Sequence, residues 1–308
     1  MVQDTYSAPT ARSAIQEALQ GSMVALVTPM HPDGEIDWQA LSNLIDWQIE
    51  AGTRVLVAVG TTGESATLSM QEHADVIEFV VKQAAGRIHV MAGTGANNTL
   101  EAIELTQHAK KAGAGSALLV APYYNKPTQE GLYQHYKKIA ETVDIPQVLY
   151  NVPGRTVVDI SNDTVLRLAD VDNIVAIKDA TGDIARGAQL IGALQGRLNV
   201  LSGDDNTAIE LMRQGAVGNI SVTANVAPQT MAQIFAAALS GDFEQAQSLN
   251  NKIAHLHQDL FVESSPIPVK YALYKMGRIE KGIRLPLTWL AATYQAQIDA
   301  ALAKAGIV

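Results

Sequence analysis

Short, almost continuous apolar runs recur through the first three quarters of the chain. A strand exposed on one face alternates apolar and polar residues, whereas a strand covered on both faces reads as a continuous apolar run. The runs therefore predict buried parallel strands. The eight predicted strands are Val24–Pro29, Val55–Gly60, Ile88–Thr94, Ala117–Pro122, Gln147–Pro153, Ile174–Ala180, Asn199–Asp205 and Val217–Thr223.

The segments between these runs have the apolar spacing of amphipathic helices. Ser69 and Glu72 have the spacing of a capping box, which predicts that a helix begins immediately after Ser69. Thr128 and Asp163 are further candidates for N-cap residues. One predicted helical stripe consists of Trp38, Leu41, Leu44, Ile45 and Ile49.

Eight alternations of strand and helix, each about 25–30 residues long, predict an α/β protein with a closed (β/α)8 TIM barrel. The alternative is an open, doubly wound parallel sheet. No predicted strand is followed by the G-x-G-x-x-G pattern of dinucleotide-binding examples of that fold, so we favour the barrel.

The predicted barrel occupies residues 21–227, and a helical region packed on it occupies residues 228–308. Strand signals stop after Ala224, which separates the two regions. The predicted helices of the second region are Gln229–Ala238, Phe243–Phe261, Val269–Met276 and Thr288–Ala303.

Residues 1–20 form an N-terminal extension. Ile15, Ala18 and Leu19 allow one apolar face of a short helix, packed near the bottom of the barrel. A disordered tail is the alternative that we favour, because chain termini usually fray.

Composition narrows the classes of function. The chain has no Cys, which excludes a disulfide framework, a Cys-ligated zinc site and a Cys nucleophile. Its formal charge of −9 argues against non-specific nucleic-acid binding, which needs clustered Lys and Arg. No apolar run approaches the ~20 residues of a membrane span, and the start of the chain lacks the pattern of a secretory signal. We therefore expect a cytoplasmic protein with neither a nucleic-acid nor a membrane partner.

The sixth predicted strand contains a lysine at its carboxyl end, where TIM barrels carry their chemistry. An unpaired ammonium at Lys178 is costly within an apolar strand. Pairing with Asp179 or another carboxylate is the ordinary explanation, but adjacent residues of a strand face opposite ways, so Asp179 is badly placed as a partner. Burial favours the neutral amine, which attacks carbonyl carbons to form Schiff bases. Lys178 is therefore the candidate nucleophile.

Three further features lie at predicted strand ends. Tyr150 ends the fifth strand beside Lys178, so it is either a proton-transfer group or an ordinary core tyrosine. The Gly-Thr-Thr-Gly-Glu-Ser turn at residues 60–65 has amides suited to a carboxylate, although an ordinary turn with local threonine caps explains it equally well. Arg155 follows the fifth strand and is suited to bidentate carboxylate binding, or is simply a solvent-exposed arginine.

The histidines and paired aspartates do not predict a metal centre. His255 and His257 lie two residues apart on a predicted helix and so face apart, and no H-E-x-x-H pattern is present. We interpret Asp204 and Asp205 as members of a loop network or a helix N-terminus.

Three segments together resemble the 4-hydroxy-tetrahydrodipicolinate (dihydrodipicolinate) synthase family of pyruvate-dependent class I aldolases. They are Gly-Thr-Thr-Gly-Glu-Ser at 60–65, Tyr-Asn-Val-Pro-Gly-Arg-Thr at 150–156 and Ile-Lys-Asp-Ala-Thr-Gly at 177–182. The resemblance runs from about Gly21 to the C-terminus. The Thr-Thr pair, the adjacent tyrosines Tyr123 and Tyr124, and Arg155 are its narrower marks.

The resemblance implies that pyruvate condenses with Lys178 and that the resulting enamine attacks L-aspartate 4-semialdehyde, in lysine and diaminopimelate biosynthesis. It implies a homotetramer, a dimer of tight dimers, in which Tyr124 reaches the site of the neighbouring subunit. No organic cofactor or metal is implied, because the imine is the electron sink. The implied catalytic residues are Lys178, Tyr150, Thr61 and Tyr124. The implied substrate-binding residues are Thr62, Arg155, Gly203 and Ile220.

The resemblance also implies inhibition by L-lysine at the tight-dimer interface. Met70 stands where some inhibited relatives have His, so we expect weaker inhibition. Val157 stands where Gly is expected after Arg-Thr, near the mouth of the site. The implied lysine-binding residues are Ser65, Ala66, His73, Asn97, Glu101 and Tyr123.

Two alternatives stay open. One is a pyruvate aldolase with a sugar-derived acceptor, which Arg155 and the Thr-Thr pair disfavour. The other is a non-catalytic, amino-acid-binding regulator built on the same barrel. It is disfavoured by four residues taken together, because ligand binding alone does not require an amine, a phenol and a hydroxyl in a relay. They are Lys178, Tyr150, Thr61 and Tyr124.

Overall fold

Eight parallel strands form a closed barrel in the computed structural model, which describes residues 11–308. Each strand pairs with the next along the chain, and β8 pairs with β1 to close the sheet. The predicted (β/α)8 barrel is therefore confirmed, and the open doubly wound sheet is excluded. The strands are β1 Gly21–Ala25, β2 Val55–Ala58, β3 His89–Gly93, β4 Ser116–Val120, β5 Gln147–Asn151, β6 Ile174–Asp179, β7 Asn199–Ser202 and β8 Gly218–Ser221.

The predicted strands are right in number and order but extend too far at their carboxyl ends. The fourth and fifth runs were predicted to reach Pro122 and Pro153, yet β4 ends at Val120 and β5 at Asn151. Proline has no N–H for the ladder, and these apolar residues belong to the loops above the barrel. The first strand was predicted from Val24 onward, whereas β1 begins at Gly21, which pairs with Gly218.

The helices between the strands cover the outside of the barrel, except the short helix Pro153–Thr156, which lies at its mouth. The capping box is present, since the Ser69 side chain accepts from the Glu72 amide and the Glu72 carboxylate accepts from the Ser69 amide. Thr128 caps α5 as predicted, but Asp163 is not an N-cap, because Ser161 accepts the amide of Thr164 instead. These helices are α2 Trp38–Glu50, α3 Met70–Ala84, α4 Thr99–Ala112, α5 Gln129–Thr142, α6 Pro153–Thr156, α7 Asn162–Leu168, α8 Ile184–Leu194 and α9 Ala208–Arg213.

Five helices follow the barrel and share its outer apolar core. The predicted helix Phe243–Phe261 is wrong as a single element: α11 ends at Ile253, and a short α12 follows at Leu256–Asp259. No helix within residues 11–308 is long and apolar enough to cross a membrane. The five helices are α10 Pro228–Leu239, α11 Phe243–Ile253, α12 Leu256–Asp259, α13 Ile267–Lys275 and α14 Ala292–Lys304.

The N-terminal extension forms a helix, α1 Ala11–Ala18, against the bottom of the barrel. Leu19 is fully buried with the residues inside the barrel, and Ile15 packs against them. Arg12 Nη2 donates to the carbonyl oxygens of Ala169, Ile174 and Arg197, at 3.0, 3.0 and 2.8 Å. The favoured expectation of a disordered tail is therefore wrong for residues 11–20, because long-range hydrogen bonds and apolar burial hold this segment. Residues 1–10 lie outside the described residues.

Candidate active site

Lys178 lies near the carboxyl end of β6, inside the mouth of the barrel, and is 6% exposed. Its register partner on β5 is Tyr150, and Lys178 Nζ lies 4.1 Å from the centre of the Tyr150 ring. Lys178 forms no ion pair with any residue in the described part of the chain. A buried amine without a carboxylate partner is the group that Schiff-base chemistry requires.

Asp179 is turned away from the lysine, as the alternation along a strand predicts. Its Oδ1 accepts the amide of Thr181 at 2.9 Å. Burial raises the pKa of Asp179, and the hydrogen bond from Thr181 and the charge of Arg186 oppose that rise. Asp179 therefore serves the loop after β6 and does not neutralise Lys178.

A cavity of about 350 Å³ opens at the carboxyl ends of the strands, around Lys178. It brings together residues on or directly after seven of the eight strands and residues of the C-terminal helical region. Tyr124 is not part of its lining, whereas the other proposed catalytic and substrate-binding residues are. Those residues are Lys178, Tyr150, Thr61, Thr62, Arg155, Gly203 and Ile220.

The Gly60–Ser65 turn forms one wall of this cavity. Within it, the Gly63 amide donates to Gly60 O at 3.0 Å and the Glu64 amide to Thr61 O at 3.1 Å. The amides of Thr61 and Thr62 donate to no acceptor within residues 11–308. Successive backbone N–H groups of a turn make an anion-binding concavity, so this wall is suited to a small carboxylate.

Arg155 stands at the mouth, on the short helix α6. Its side chain is exposed, and Nη2 donates to Ser265 O at 3.2 Å, which ties it to the C-terminal region. Val157 follows as the C-cap of α6 with a φ of 58°, a left-handed conformation that β-branched residues rarely adopt. This conformation is the physical reason for expecting glycine at that position.

Two aspartates beneath the cavity organise loops, as the sequence predicted. Asp204 Oδ1 accepts the amide of Asn206 at 2.8 Å. Asp205 accepts the amides of Val222 and Thr223 at 3.1 and 2.9 Å, and the Asn219 side chain at 2.6 Å. Both carboxylates accept hydrogen bonds from backbone amides of the loops around them, which holds those loops in place at the strand ends.

Residues of the C-terminal region line the site, which the sequence analysis did not predict. His257 is buried in the cavity wall, between Thr223 Oγ1 and Asn250 Oδ1, each 2.9 Å from a ring nitrogen. Burial lowers the pKa of His257, which keeps the ring neutral near pH 7. Neither pattern nor spacing marks such residues, because a helix packed across a barrel mouth contacts it at irregular positions. The region contributes His257, Gln258, Phe261 and Ser265.

The adjacent tyrosines after β4 differ in exposure. Tyr124 is 90% exposed with a left-handed φ of 74°, whereas Tyr123 is 40% exposed. The Asn97 side chain donates to Tyr123 O at 3.2 Å, and Asn125 donates to Asn97 O at 2.8 Å. Burial and the nearby Glu101 carboxylate raise the pKa of Tyr123.

The remaining residues of the expected lysine site lie on the neighbouring elements. Ser65 and Ala66 form a 3-10 turn before α3. His73 is buried on α3, and burial lowers its pKa to about 4, so its ring is neutral near pH 7. Met70, at the start of the same helix, is 43% exposed.

A closed eight-stranded parallel barrel with a buried, unpaired lysine and a tyrosine at its mouth defines a TIM-barrel enzyme with a lysine-centred site. Residues 18–305 match the model of the dihydrodipicolinate synthetase family. The chain therefore belongs to the dihydrodipicolinate synthetase family.

Similar proteins cover almost the whole chain. A 4-hydroxy-tetrahydrodipicolinate synthase of Psychrobacter sp. (strain PRwf-1) is 68% identical over 96% of this chain and 98% of its own. A crystal structure of the chloride-inhibited dihydrodipicolinate synthase of Acinetobacter baumannii, complexed with pyruvate, has a TM-score of 0.93 and 62% identity, covering 94% of this chain and 100% of that one. A crystal structure of the dihydrodipicolinate synthase of Cyanidioschyzon merolae with lysine bound has a TM-score of 0.91 and 35% identity. The match covers 94% of this chain and 99% of that one.

Gly203 leaves the space that the Lys178 side chain occupies. A Cβ atom at position 203 would lie 2.8 Å from Lys178 Cε and also 2.8 Å from Ala180 Cβ. We expect Gly203→Ala to lower the urea midpoint, because the Ala180 methyl group is fixed to the backbone and cannot move aside. We expect it also to reduce kcat by about 100-fold, because the lysine arm is displaced and carries the amine with it.

Steady-state kinetics and urea unfolding of Gly203→Ala measure the two effects. Gly192→Ala is the matched control, since a Cβ there meets no atom within 4 Å. An unchanged kcat in Gly203→Ala would mean that the lysine tolerates the new methyl group without moving from its reactive position.

Proposed function

We propose that this protein condenses pyruvate with L-aspartate 4-semialdehyde through a Schiff base on Lys178, giving 4-hydroxy-tetrahydrodipicolinate. The observation that carries the proposal is the buried, unpaired Lys178 amine beside Tyr150, in one cavity with the free amides of Thr61 and Thr62. Family membership and the pyruvate complex of the Acinetobacter baumannii relative agree with it.

The reaction begins when the Lys178 amine attacks C2 of pyruvate. Loss of water from the carbinolamine leaves an iminium ion, which withdraws electrons and allows a methyl proton to depart. The enamine carbon then attacks the aldehyde carbon of the second substrate. Finally, the amine of that substrate attacks the iminium carbon, which closes the ring and releases Lys178.

Hydroxyl groups carry out the proton transfers of this reaction. Tyr150 and Thr61 line the cavity with Lys178, and both also border a smaller space of about 30 Å³ beside it. A phenol within reach of the amine is suited to deliver the proton that the carbinolamine needs to lose water. We assign Tyr150, Thr61 and Tyr124 to the proton relay.

Two anionic groups must be bound in the cavity. The amides of Thr61 and Thr62 suit the pyruvate carboxylate, since Thr62 is only 4% exposed and neither amide is used internally. Arg155 at the mouth suits the carboxylate of the semialdehyde. Gly203 and Ile220 line the same cavity.

The two alternative functions have less support. A sugar-derived acceptor carries hydroxyl groups along its length, whereas the mouth of this cavity offers a guanidinium at Arg155. A regulator that only binds an amino acid would not need a desolvated amine facing a phenol, because an unpaired buried lysine is costly to keep. The aldol condensation uses both groups.

Lys178→Arg is expected to fold but to lose nearly all turnover, because a guanidinium supplies no neutral amine near pH 7. Borohydride reduction in the presence of pyruvate, followed by intact-mass measurement, should show one covalent adduct per wild-type chain and none in the variant. Tyr150→Phe should still be trapped by borohydride while its turnover falls about 10²–10⁴-fold.

A wild-type protein that forms no adduct would contradict the Schiff base and favour the regulator. An adduct without condensation on L-aspartate 4-semialdehyde, but with condensation on a sugar-derived aldehyde, would favour the other aldolase.

We propose further that the protein is a homotetramer of tight dimers in which Tyr124 enters the partner's site. Tyr124 is 90% exposed and does not line the cavity of its own chain. Leu100, on the adjoining helix α4, is 68% exposed, and Tyr123 is 40% exposed. Exposed large apolar side chains that cluster in this way are typical of a protein–protein interface.

Mixing inactive Lys178→Arg with inactive Tyr124→Phe should restore activity after subunit exchange. Half of the randomly formed dimers are mixed and hold one intact site, so we expect about a quarter of wild-type activity. The matched control mixes Lys178→Arg with Tyr150→Phe, whose defects lie in the same chain's site and cannot complement. Exchange without recovery in the first mixture would contradict a shared site.

We also propose that L-lysine binds at this interface and inhibits. The Glu101 carboxylate lies near Tyr123, whose pKa it helps to raise, and a carboxylate suits the α-amine of lysine. The lysine-bound relative of Cyanidioschyzon merolae agrees with a site of this kind. Ser65, Ala66, His73 and Asn97 complete the proposed site, and the thioether of Met70 offers it no polar contact.

Glu101→Gln should weaken lysine binding by about 10- to 100-fold, because a hydrogen bond to a charged group is lost. Calorimetry with L-lysine measures the binding, and turnover at increasing lysine measures the inhibition. Glu104→Gln, an exposed change on the same helix, is the control. If the affinity for L-lysine is unaltered in Glu101→Gln, the Glu101 carboxylate does not take part in lysine binding.

A further inference from the structure

The Gly60–Ser65 turn has a support that the proposed reaction does not account for. Glu64, directly after the Thr-Thr-Gly segment, is 2% exposed and has a left-handed backbone with a φ of 58°. A non-glycine residue in that conformation is strained and persists only where its surroundings hold it.

The Glu64 side chain is held by the C-terminal helical region. Lys270 Nζ, on α13, donates to Glu64 Oε1, and both side chains are fully buried. The Arg284 amide donates to the other carboxylate oxygen at 3.2 Å. Among the ion pairs formed within residues 11–308, this pair is the one whose two side chains are both 0% exposed. Burial lowers the pKa of Lys270, and the Glu64 carboxylate opposes that change.

Stability alone does not explain a fully buried ion pair. Removing two charges from water is costly, and well-packed apolar residues often serve the fold equally well or better. The pair does fix the orientation of the Glu64 side chain, because a carboxylate with two defined donors cannot rotate freely. It fixes the chain two residues after Thr62, whose amide lines the cavity without an internal acceptor.

A second contact supports the same turn from the barrel side. Thr28 Oγ1 donates to Gly63 O at 2.7 Å, and Thr28 is buried. The turn is therefore held on one side by the loop that follows β1 and on the other side by α13. An anion site made of backbone amides gains affinity when the amides are fixed in place before the ligand arrives.

We propose that Lys270 and Glu64 are positioning residues for pyruvate: their buried ion pair sets the turn so that the Thr61 and Thr62 amides are preorganised for the pyruvate carboxylate. This inference rests on the proposed function and adds the C-terminal helix α13 to the substrate-binding apparatus. Neither residue touches the substrate.

The test compares Glu64→Gln, Lys270→Met and the double variant with both changes. Each single change leaves a buried polar or charged group without its partner, so we expect it to lower the urea midpoint of unfolding. The double variant removes both charges and recovers most of that midpoint. Its pyruvate KM is expected to stay about 10- to 100-fold above wild type, the equivalent of one charge-assisted hydrogen bond. Its KM for the semialdehyde and its kcat at saturating pyruvate should change less than about threefold.

Lys275→Met is the matched control, because Lys275 ends the same helix and pairs with Asp299 at 3.2 Å outside the barrel. It should leave the pyruvate KM unchanged. A double variant with recovered stability and a wild-type pyruvate KM would make the ion pair purely structural and overturn the proposal. If the double variant does not fold, Glu64→Asp provides the test, because it keeps the negative charge on a side chain that is one methylene shorter. A wild-type pyruvate KM in Glu64→Asp would also overturn the proposal.

Borohydride trapping separates this inference from the proposed function. At saturating pyruvate the wild type and the double variant should both form the Lys178 adduct, and only the pyruvate concentration for half-maximal trapping should rise in the variant. Equal half-maximal concentrations with full adducts would overturn the positioning role alone. No adduct in the wild type would overturn the Schiff base and the positioning role together.

Discussion

Closure of the barrel depends on a close approach between β1 and β8, and every feature of the site depends on closure. Gly21 pairs with Gly218, where a Cβ would lie 2.7 Å from Gly21 O and 2.9 Å from Gly21 N. Contact this close excludes any larger residue at position 218. Once the sheet is closed, its eight carboxyl ends face one space, and the register sets Tyr150 opposite Lys178.

The mouth of the barrel is completed by the chain that follows the last strand. Arg284 joins three segments there: Nη2 donates to the Glu72 carboxylate at 2.6 Å, Nη1 to Thr67 O at 3.0 Å and Nε to Gly34 O at 2.8 Å. The hydrogen bonds from Arg284 lower the pKa of Glu72 to about 2, so the carboxylate stays charged throughout the physiological range. The C-terminal helices are therefore part of the site and not only a cover for the barrel.

The sequence predicts the features that come from local pattern and fails on those that come from distant pairing. Apolar runs predict all eight strands, and the position of Lys178 within such a run predicts the buried lysine of the cavity, our candidate nucleophile. The Lys270–Glu64 pair joins residues 206 positions apart, so no local spacing reveals it. One signal was present, however: Lys270 also stands in an apolar segment, where the cost of an unpaired ammonium predicts a buried partner. The break after Ile253 was missed because the apolar spacing continues across it.

The helix α1 has a consequence for the order in which the chain folds. Its hydrogen bonds reach Ala169, Ile174 and Arg197, which are 157 to 185 residues further along the chain. In a chain growing on the ribosome, these carbonyl groups do not exist until β6 and the start of β7 have been made. Helix α1 is thus synthesised early but docks late, and Leu19 lacks its native burial until then. Assembly of this barrel is governed by contacts of long sequence separation, which are the slow ones to form.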